Sequence, residues 1–354
     1  MIGIVFINDI KLCPYLSKYT DALEALALDY EIIYWNRTEK NESYPNNHHV
    51  LSLPSKEELH PVLKIKAFIK FSIFAKKIIR KKKYDKLVIL TTLTGMCMYK
   101  MLLKEYKNRY VLDYRDASYE YITVFKNRLE KLIENAYFTC ISSKGFLDIL
   151  PRNTEYVIAH NFKYDELENR VGLGSKSNSE VIKVCYIGLL REKKYLENLV
   201  DTFGNDSRFE MVFHGNGEWL ESTKNYAKGI ENISFTGGFR SEEKKGFIEA
   251  SDMMCFNYVS NFNNDKLIAN KFYDALIYKK PLIGNIEIFS GHLIEKHAIG
   301  ISLHYNEENF LDKIYEYYQK LDMEQYSLNA EKMLDRILKE DQIYIEKINE
   351  FLKE

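Results

Sequence analysis

The 354-residue chain has little proline and glycine, 6 and 16 residues, which excludes collagen-like, linker-like and low-complexity readings. It also lacks an excess of either charge. Fifty basic against 51 acidic residues leave a formal net charge of -1, so no global field draws it to nucleic acid. Its five cysteines (Cys13, Cys97, Cys140, Cys185, Cys255) are scattered, odd in number and never spaced Cys-x-x-Cys. That argues against a disulfide framework or a structural zinc site and fits a reducing compartment. No apolar run is long enough for a membrane. Leu87 to Tyr99, the longest weakly polar stretch, holds three Thr and a Gly and is too short for ~30 Å of hydrocarbon. Met1 to Ile7 has no basic segment before its apolar run and reads as a first strand rather than a signal peptide. No Asp-x-Asp occurs, and the eight histidines show no i, i+4 ligand spacing. The expectation is a cytosolic chain, peripheral to a membrane at most.

What is present is ordinary globular material, 46% hydrophobic and 29% charged, with 27 tyrosines. At ~150 residues per domain the length predicts two domains. Short apolar runs alternate with amphipathic stretches. Strands are expected at Ile2–Ile7, Tyr30–Trp35, Lys86–Leu90, Tyr110–Asp113, Phe138–Ile141 and Tyr156–Ala159, and helices at Leu16–Leu28 and Lys64–Lys83. Uninterrupted apolar strands between helices signify parallel sheets covered on both faces. Residues 169–180, rich in Gly and Ser, read as a linker, after which the pattern restarts. Strands are expected at Val181–Ile187, Glu210–His214, Met253–Phe256 and Pro281–Gly284, and helices at Lys194–Thr202, Ser241–Ala250 and Ala269–Tyr278. The domains are therefore 1–168 and 181–335, with 336–354 as a C-terminal segment that packs back on the first domain and holds a helix at Gln342–Leu352. Two such sheets place a ligand cleft at the carboxyl ends of their strands.

The most informative stretch runs from Asn270-Lys271-Phe272-Tyr273-Asp274 to Lys279-Lys280-Pro281-Leu282-Ile283-Gly284. A helix start offers unpaired amides and positive dipole to a phosphate, and an acidic side chain one turn in can accept ribose hydroxyls. The alternative is a plain capped helix on a sheet. The stretch resembles the N-K-x-x-E-x-x-x-x-G-K-P signature of group 1 glycosyltransferases, a retaining family with the GT-B fold. Further matches follow in order. Tyr186-Ile187-Gly188-Leu189-Leu190-Arg191-Glu192-Lys193-Lys194 resembles its V-G-R-L-x-x-x-K-G turn. Val212-Phe213-His214-Gly215-Asn216-Gly217 resembles I-x-G-x-G, and Asn232 to Gly237 followed by Ala250-Ser251-Asp252 resembles N-V-x-F-x-G … A-D. In the first half, Asp113-Tyr114-Arg115-Asp116 resembles a D-x-R-D strand end, while Ile141-Ser142-Ser143 and Ala159-His160-Asn161-Phe162 resemble the segments preceding the hinge.

The resemblance implies two Rossmann-like parallel-sheet domains facing each other across a cleft, the N-terminal one for acceptor and the C-terminal one for donor. It places Lys194 at the family's diphosphate-clamping Lys and puts Leu189 at the Arg position, with Arg191 as a displaced substitute. Both cations would stabilise charge on the leaving diphosphate. Asp274 falls on the carboxylate that holds the nucleotide ribose. The family's earlier carboxylate falls on Lys266, with Asp265 one place out of register. The donor-binding set is then Gly188, Gly215, Asn216, Gly217, Phe239, Asn270, Lys271 and Asp274, where Phe239 and Arg240 lie near the nucleobase or else form a surface turn. Tyr258 and Asn261 sit on the loop expected to face the donor sugar. Arg115 and Asp116, at a strand end, are expected to contact sugar or acceptor, with an internal ion pair as the other reading. No metal or other cofactor is implied.

The charge balance conceals an asymmetry. From Pro61 to Lys86 lie Lys64, Lys66, Lys70, Lys76, Lys77, Arg80, Lys81, Lys82, Lys83 and Lys86, against Asp85 alone. Bulky apolar residues interleave with them, which reads as a surface for anionic lipid, or else as a helix with a solvated basic face. A nucleic-acid reading lacks any accompanying motif. The expected function is transfer of a sugar from a nucleotide-diphosphate donor, a UDP-sugar, to a polyprenyl-diphosphate-linked glycan at the inner face of the cell membrane, as in capsule or surface-polysaccharide assembly. The alternatives are a nucleotide-sugar epimerase of the same fold and a catalytically silent glycosyltransferase-like subunit.

Overall fold

The computed structural model describes residues 1–37, 43–54, 61–162, 164–177, 179–256, 258–304 and 306–354, without the side chains of 61 and 62. The chain divides into two compact units, one comprising Met1–Asn161 and Lys339–Glu354, the other Phe162–Leu338.

The first unit contains β1 (Ile2–Phe6), α1 (Ser17–Ala25), β2 (Tyr30–Asn36), β3 (His48–Ser52), α2 (Pro61–Lys82), β4 (Lys86–Leu90), α3 (Thr92–Glu105), β5 (Tyr110–Tyr114), α4 (Thr123–Glu134), β6 (Phe138–Ile141) and β7 (Tyr156–Ile158). Among the described residues the strands form one parallel sheet ordered β3-β2-β1-β4-β5-β6-β7. Ile4 pairs with Ile32 on one side and Val88 on the other. All five residues of β1 and of β5 are buried, as a parallel strand covered on both faces requires. The edge strand β3 is only half-buried, and its polar His48-His49 opening gave no apolar run to read.

The second unit contains β8 (Ile182–Ile187), α5 (Lys193–Phe203), β9 (Phe209–His214), α6 (Leu220–Tyr226), β10 (Ile233–Gly237), α7 (Lys244–Glu249), β11 (Met253–Phe256), α8 (Asn270–Tyr278), β12 (Leu282–Asn285), α9 (Phe289–Lys296), β13 (Gly300–Leu303) and α10 (Phe310–Lys320). Its parallel sheet is ordered β10-β9-β8-β11-β12-β13 among the described residues. The order reverses between β8 and β11, and ligands bind outside the carboxyl ends of strands at such a switch.

Residues 164–177, part of which reads as linker in the sequence, are held by the second unit. The Val171 amide donates to the Ile277 carbonyl, and the Gly174 amide to Ser327 Oγ. Asn178 lies outside the described residues. The last helix, α11, runs from Met323 to Lys353, far beyond the expected Gln342–Leu352. Its apolar residues serve both units. Tyr326, Ala330, Met333, Leu334 and Ile337 enter the second core, and Tyr344, Ile348, Phe351 and Leu352 the first. None of the described helices is long and apolar enough to cross a membrane.

The end of α11 is fastened to the first unit by a buried ion pair, Lys18 Nζ to Asp341 Oδ1 at 2.6 Å, each side chain only 2% exposed. Burial lowers the Lys18 pKa to about 8, against the opposing pull of Asp341. Removing one partner takes the contact counter-charge from a buried ion. Lys18→Met should therefore destabilise the first unit by about 3–5 kcal/mol. The double variant Lys18→Met/Asp341→Leu should recover most of that loss, because no unpaired charge remains. Chemical denaturation followed by circular dichroism measures both; equal losses in single and double variants would contradict the account.

Candidate functional site

The second unit gathers most of the sequence-predicted donor residues at the carboxyl ends of β8, β9 and β11. Backbone packing explains the glycines. Gly188 ends β8 at φ +129° and Gly215 ends β9 at φ +150°. A Cβ on Gly215 would collide with the Gly188 carbonyl, so the two strand ends can close together only without side chains. The Gly188 amide donates to the His214 carbonyl, and the Leu190 amide to the Asn216 carbonyl, locking the two turns together. Asn216 is exposed and its Oδ1 accepts from the Gly217 amide.

Next to this floor lies Lys271, in the first turn of α8 and only 6% exposed. A Cβ on Gly188 would meet only the Lys271 Cε, at 3.8 Å. The ammonium sits over the Tyr186 ring at 3.3 Å from its centroid and 4.8 Å from that of Tyr258. No carboxylate or carbonyl among the described residues lies within hydrogen-bond reach of it. Aromatic faces attract a desolvated cation by about 2 kcal/mol, whereas the effective cost of burying an unpaired ion is several kcal/mol. The group is thus short of an anion. Helix α8 also begins without a side-chain cap, since its N-cap residue is Ala269. Its first-turn amides and dipole carry positive potential of their own. Asn270 is exposed there.

One turn on, Asp274 is buried and hydrogen-bonded to Lys244 Nζ at 2.6 Å, while Lys244 also reaches Glu166 at 3.0 Å. Burial pushes the Asp274 carboxyl up to about 6; Lys244 pulls it down and Glu166 adds to the rise. Lys244 opens α7, so sequence reading missed a cation 30 positions away that holds the carboxylate. His214 lies flat on Phe247 at 4.2 Å, and Phe239 meets Phe247 edge-on at 5.6 Å. Burial lowers His214 to about 4, leaving it neutral near pH 7. Together these rings form an apolar platform beyond the glycine turns.

Other expected residues are placed differently. Arg191 and Lys194 are exposed at the start of α5, and Leu189, at the family's Arg position, is 49% exposed. Tyr258 is half-buried at the end of β11 beside Lys271. Asn261 is exposed and organises its own loop: Oδ1 accepts from the Asn263 and Asn264 amides, and its amide donates to Asp265 Oδ1. Asp265, one place out of register in the resemblance, is therefore a loop-capping residue.

Arg115 and Asp116 belong to the first unit. Asp116 is exposed just beyond β5. Arg115 is 4% exposed and makes a bidentate pair with Asp113, Nε to Oδ1 at 2.5 Å and Nη2 to Oδ2 at 3.0 Å. Nη1 donates to the Ala159 carbonyl, and the guanidinium stacks over Tyr15. The expected sugar contact at Arg115 is replaced by the internal ion pair, since all three donor nitrogens are already satisfied. His160 is likewise internal, 3.1 Å from Glu340. Among the described residues no three His, Cys, Asp or Glu side chains cluster to hold a metal ion.

No family model matches the sequence, and no curated protein does either. Solved structures match nearly the full length. Sucrose-phosphate synthase from Thermosynechococcus elongatus is similar with a TM-score of 0.70 at 12% identity, over 99% of this chain and 94% of that one. The lipopolysaccharide outer core galactosyltransferase WaaB, apo form, gives 0.64 at 12% identity over 99% and 98%. A trehalose-6-phosphate structure from E. coli bound with UDP-2-fluoro glucose gives 0.66 at 10% identity over 98% of each chain. At such identities the likeness establishes architecture. The chain has the GT-B fold, built from two Rossmann-like parallel-sheet units.

Proposed function

We propose that the chain is a retaining glycosyltransferase that takes a nucleotide-diphosphate sugar, a UDP-sugar, in its second unit. The acceptor is a polyprenyl-diphosphate-linked glycan of capsule or surface-polysaccharide assembly, taken by the first. The observation that carries the reading is the buried Lys271 ammonium beside Gly188, which has no carboxylate partner among the described residues and belongs to a helix that starts without a side-chain cap. A diphosphate supplies the anionic partner. The similar fold of a UDP-sugar complex and of a lipopolysaccharide galactosyltransferase supports the ligand class.

In this reading Gly188, Gly215 and Gly217 let phosphate oxygens approach the backbone, with Asn216 at their rim. Asp274, steadied by Lys244, accepts ribose hydroxyls, while Phe239 and the His214–Phe247 stack face the base. Tyr258 and Asn261 border the sugar, and Asn270 starts the helix that meets the phosphates. The exposed Lys194 and Arg191 close on the β-phosphate as the glycosidic bond breaks, stabilising the charge that develops there. Asp116 is assigned to the acceptor side. The leaving phosphate oxygen takes the acceptor proton, so no protein nucleophile is needed, and the cations do the work a metal performs elsewhere. The basic helix α2 holds the enzyme on the inner face of the membrane. Each Lys or Arg near an anionic surface contributes about 1 kcal/mol.

Three measurements test this. First, Lys271→Met should weaken UDP binding in calorimetry by about ten- to a hundredfold, the value of a lost hydrogen bond to a charged group. Its melting temperature should hold or rise, because an unpaired buried charge is removed. A variant that melts earlier and binds normally would assign Lys271 to structure. Second, ribose recognition needs the ionised Asp274, whose pKa is about 6. Affinity for a UDP-sugar should hold above pH 7 and fall about tenfold by pH 5, as the competent fraction shrinks. The donor's diphosphate diester lacks a phosphomonoester ionisation near pH 6. His214, at about 4, stays neutral throughout that window. An Asp274→Asn variant should show no such dependence. Third, a radiolabelled-donor assay containing a chelator should find Lys194→Ala slowed by about 10²–10³-fold, as for loss of one charge-stabilising donor. Full activity in Lys194→Ala would remove Lys194 from the mechanism. Interconversion of the donor without acceptor, seen by NMR, would mean an epimerase.

A further inference from the structure

Helix α2 carries two apolar stripes. Ala67, Phe71, Ala75 and Ile79, spaced four apart, are buried in the first unit. Beside them Ile65, Ile69 and Ile73, also four apart, are 58%, 54% and 64% exposed. One stripe serves the fold; the second is left to solvent. It does not stand alone, because it forms one wall of a groove of about 1010 Å³. Phe68 joins the α2 wall, Leu93 and Met96 of α3 supply the floor, and Ile122, Val124 and Phe125 supply the opposite wall. That wall also ends in solvent, with Val124 62% and Ile122 45% exposed, and Tyr121 66% exposed just before it. Exposed apolar side chains of this size, contiguous across two elements, mark an interaction surface.

The charges around the groove have one sign. Lys64, Lys76 and Arg128 line it, and Lys66, Lys70 and Lys77 are exposed on the same helix. These six cations form no ion pair among the described residues. By contrast, Arg80 and Lys82, further along α2, are engaged with Glu105 and Glu31. Lys81 and Lys83 at the far end are exposed and unpaired among the described residues as well, so free cations run along α2 and six line or flank the exposed stripe and its groove. An apolar trough with cationic edges complements a molecule with a hydrocarbon chain and an anionic head.

We propose that this groove draws in one acyl chain of an anionic phospholipid from the bilayer, its head held at the rim by Lys64, Lys76 and Arg128. The inference rests on the membrane surface proposed above and deepens it. A helix that only rests on the interface dips its apolar face among lipids, whereas here a lipid chain leaves its neighbours and lies on the α3 floor. The site is confined to the first unit and is independent of the donor residues.

Depth distinguishes the two. A tryptophan is placed on the floor (Met96→Trp) or at the rim (Ile69→Trp) of the full chain. Its fluorescence is read in phosphatidylglycerol/phosphatidylcholine vesicles with brominated acyl chains, taking the native Trp35 and Trp219 signal as baseline. Entry of a chain should quench both positions, the floor tryptophan losing emission as bromine comes into contact with it. Leu93→Trp gives the same floor readout should Met96→Trp fail to fold. Quenching at the rim alone, or at neither position, would overturn the proposal. Equal floor quenching in pure phosphatidylcholine would overturn the role of the cationic rim. Recovery of floor emission on adding substoichiometric polyprenyl phosphate would reassign the groove to the acceptor's own chain. UDP binding, measured by calorimetry on the same variants, should equal that of the unsubstituted protein. Loss of floor quenching with UDP binding intact would therefore overturn the groove without touching the donor site.

Discussion

An ammonium enclosed by protein, beside two tyrosines and with no carboxylate partner among the described residues, is the constraint from which the second unit is best understood. Lys271 reaches its place because α8 follows β11, and β11 is the strand at which the sheet order reverses beside β8. The reversal parts the adjacent connections at Gly188. The Tyr186 and Tyr258 rings, from the ends of those two strands, cover the cation. Aromatic faces soften the burial of charge but do not neutralise it. Under the proposed function, the positive charge, the uncapped helix start and the side-chain-free turns are what a phosphate would meet.

Asp274 shows how the neighbouring chemistry is tuned. A carboxylate this buried would be neutral at physiological pH without help. Lys244 compensates, and Glu166 shares the same ammonium, so the carboxyl settles at about 6. It is ionised near neutrality and close to its switching point. The pairing also holds its carboxylate in one place. Lys244 and Glu166 come from α7 and from the segment before β8, so three separate stretches converge on one carboxylate.

Much of the fold was legible because parallel strands are uninterrupted apolar runs, and ten of the thirteen described strands read that way. The exceptions have physical causes. β3 is an edge strand starting with two histidines, β10 lies at the other edge with alternating burial, and β13 is four residues opened by Gly300. Helix α3 hides behind Thr and Gly, poor helix formers whose places are set by packing on the sheet. The long α11 was visible only at its end because its two halves face different cores. At the site, motif spacing located Lys271 and Asp274 but not their burial. Arg115 and Lys271 are both buried basic residues, yet one has Asp113 two positions away to neutralise it and the other meets only tyrosines among the described residues. Lys244 carried no signal at all, since an ion pair spanning 30 positions leaves no local pattern.

The same contrast governs charge over the whole chain. Fifty basic and 51 acidic residues nearly cancel, yet cancellation depends on where partners lie. Lys18, Lys82 and Arg115 each face a carboxylate at contact distance and are neutralised within the fold. Lys66, Lys70 and Lys77 face solvent beside exposed isoleucines, and Lys271 faces two aromatic rings. A folded chain near electroneutrality can leave cations unmatched only by burying or dispersing the compensating acids elsewhere, which costs stability unless a ligand returns the missing charge. Here the unmatched cations fall into two groups on separate units. One is a single desolvated ammonium at a sheet switch point. The other is a solvated array around an apolar trough. Their difference in hydration is what sets apart the small anion proposed for the first from the lipid proposed for the second.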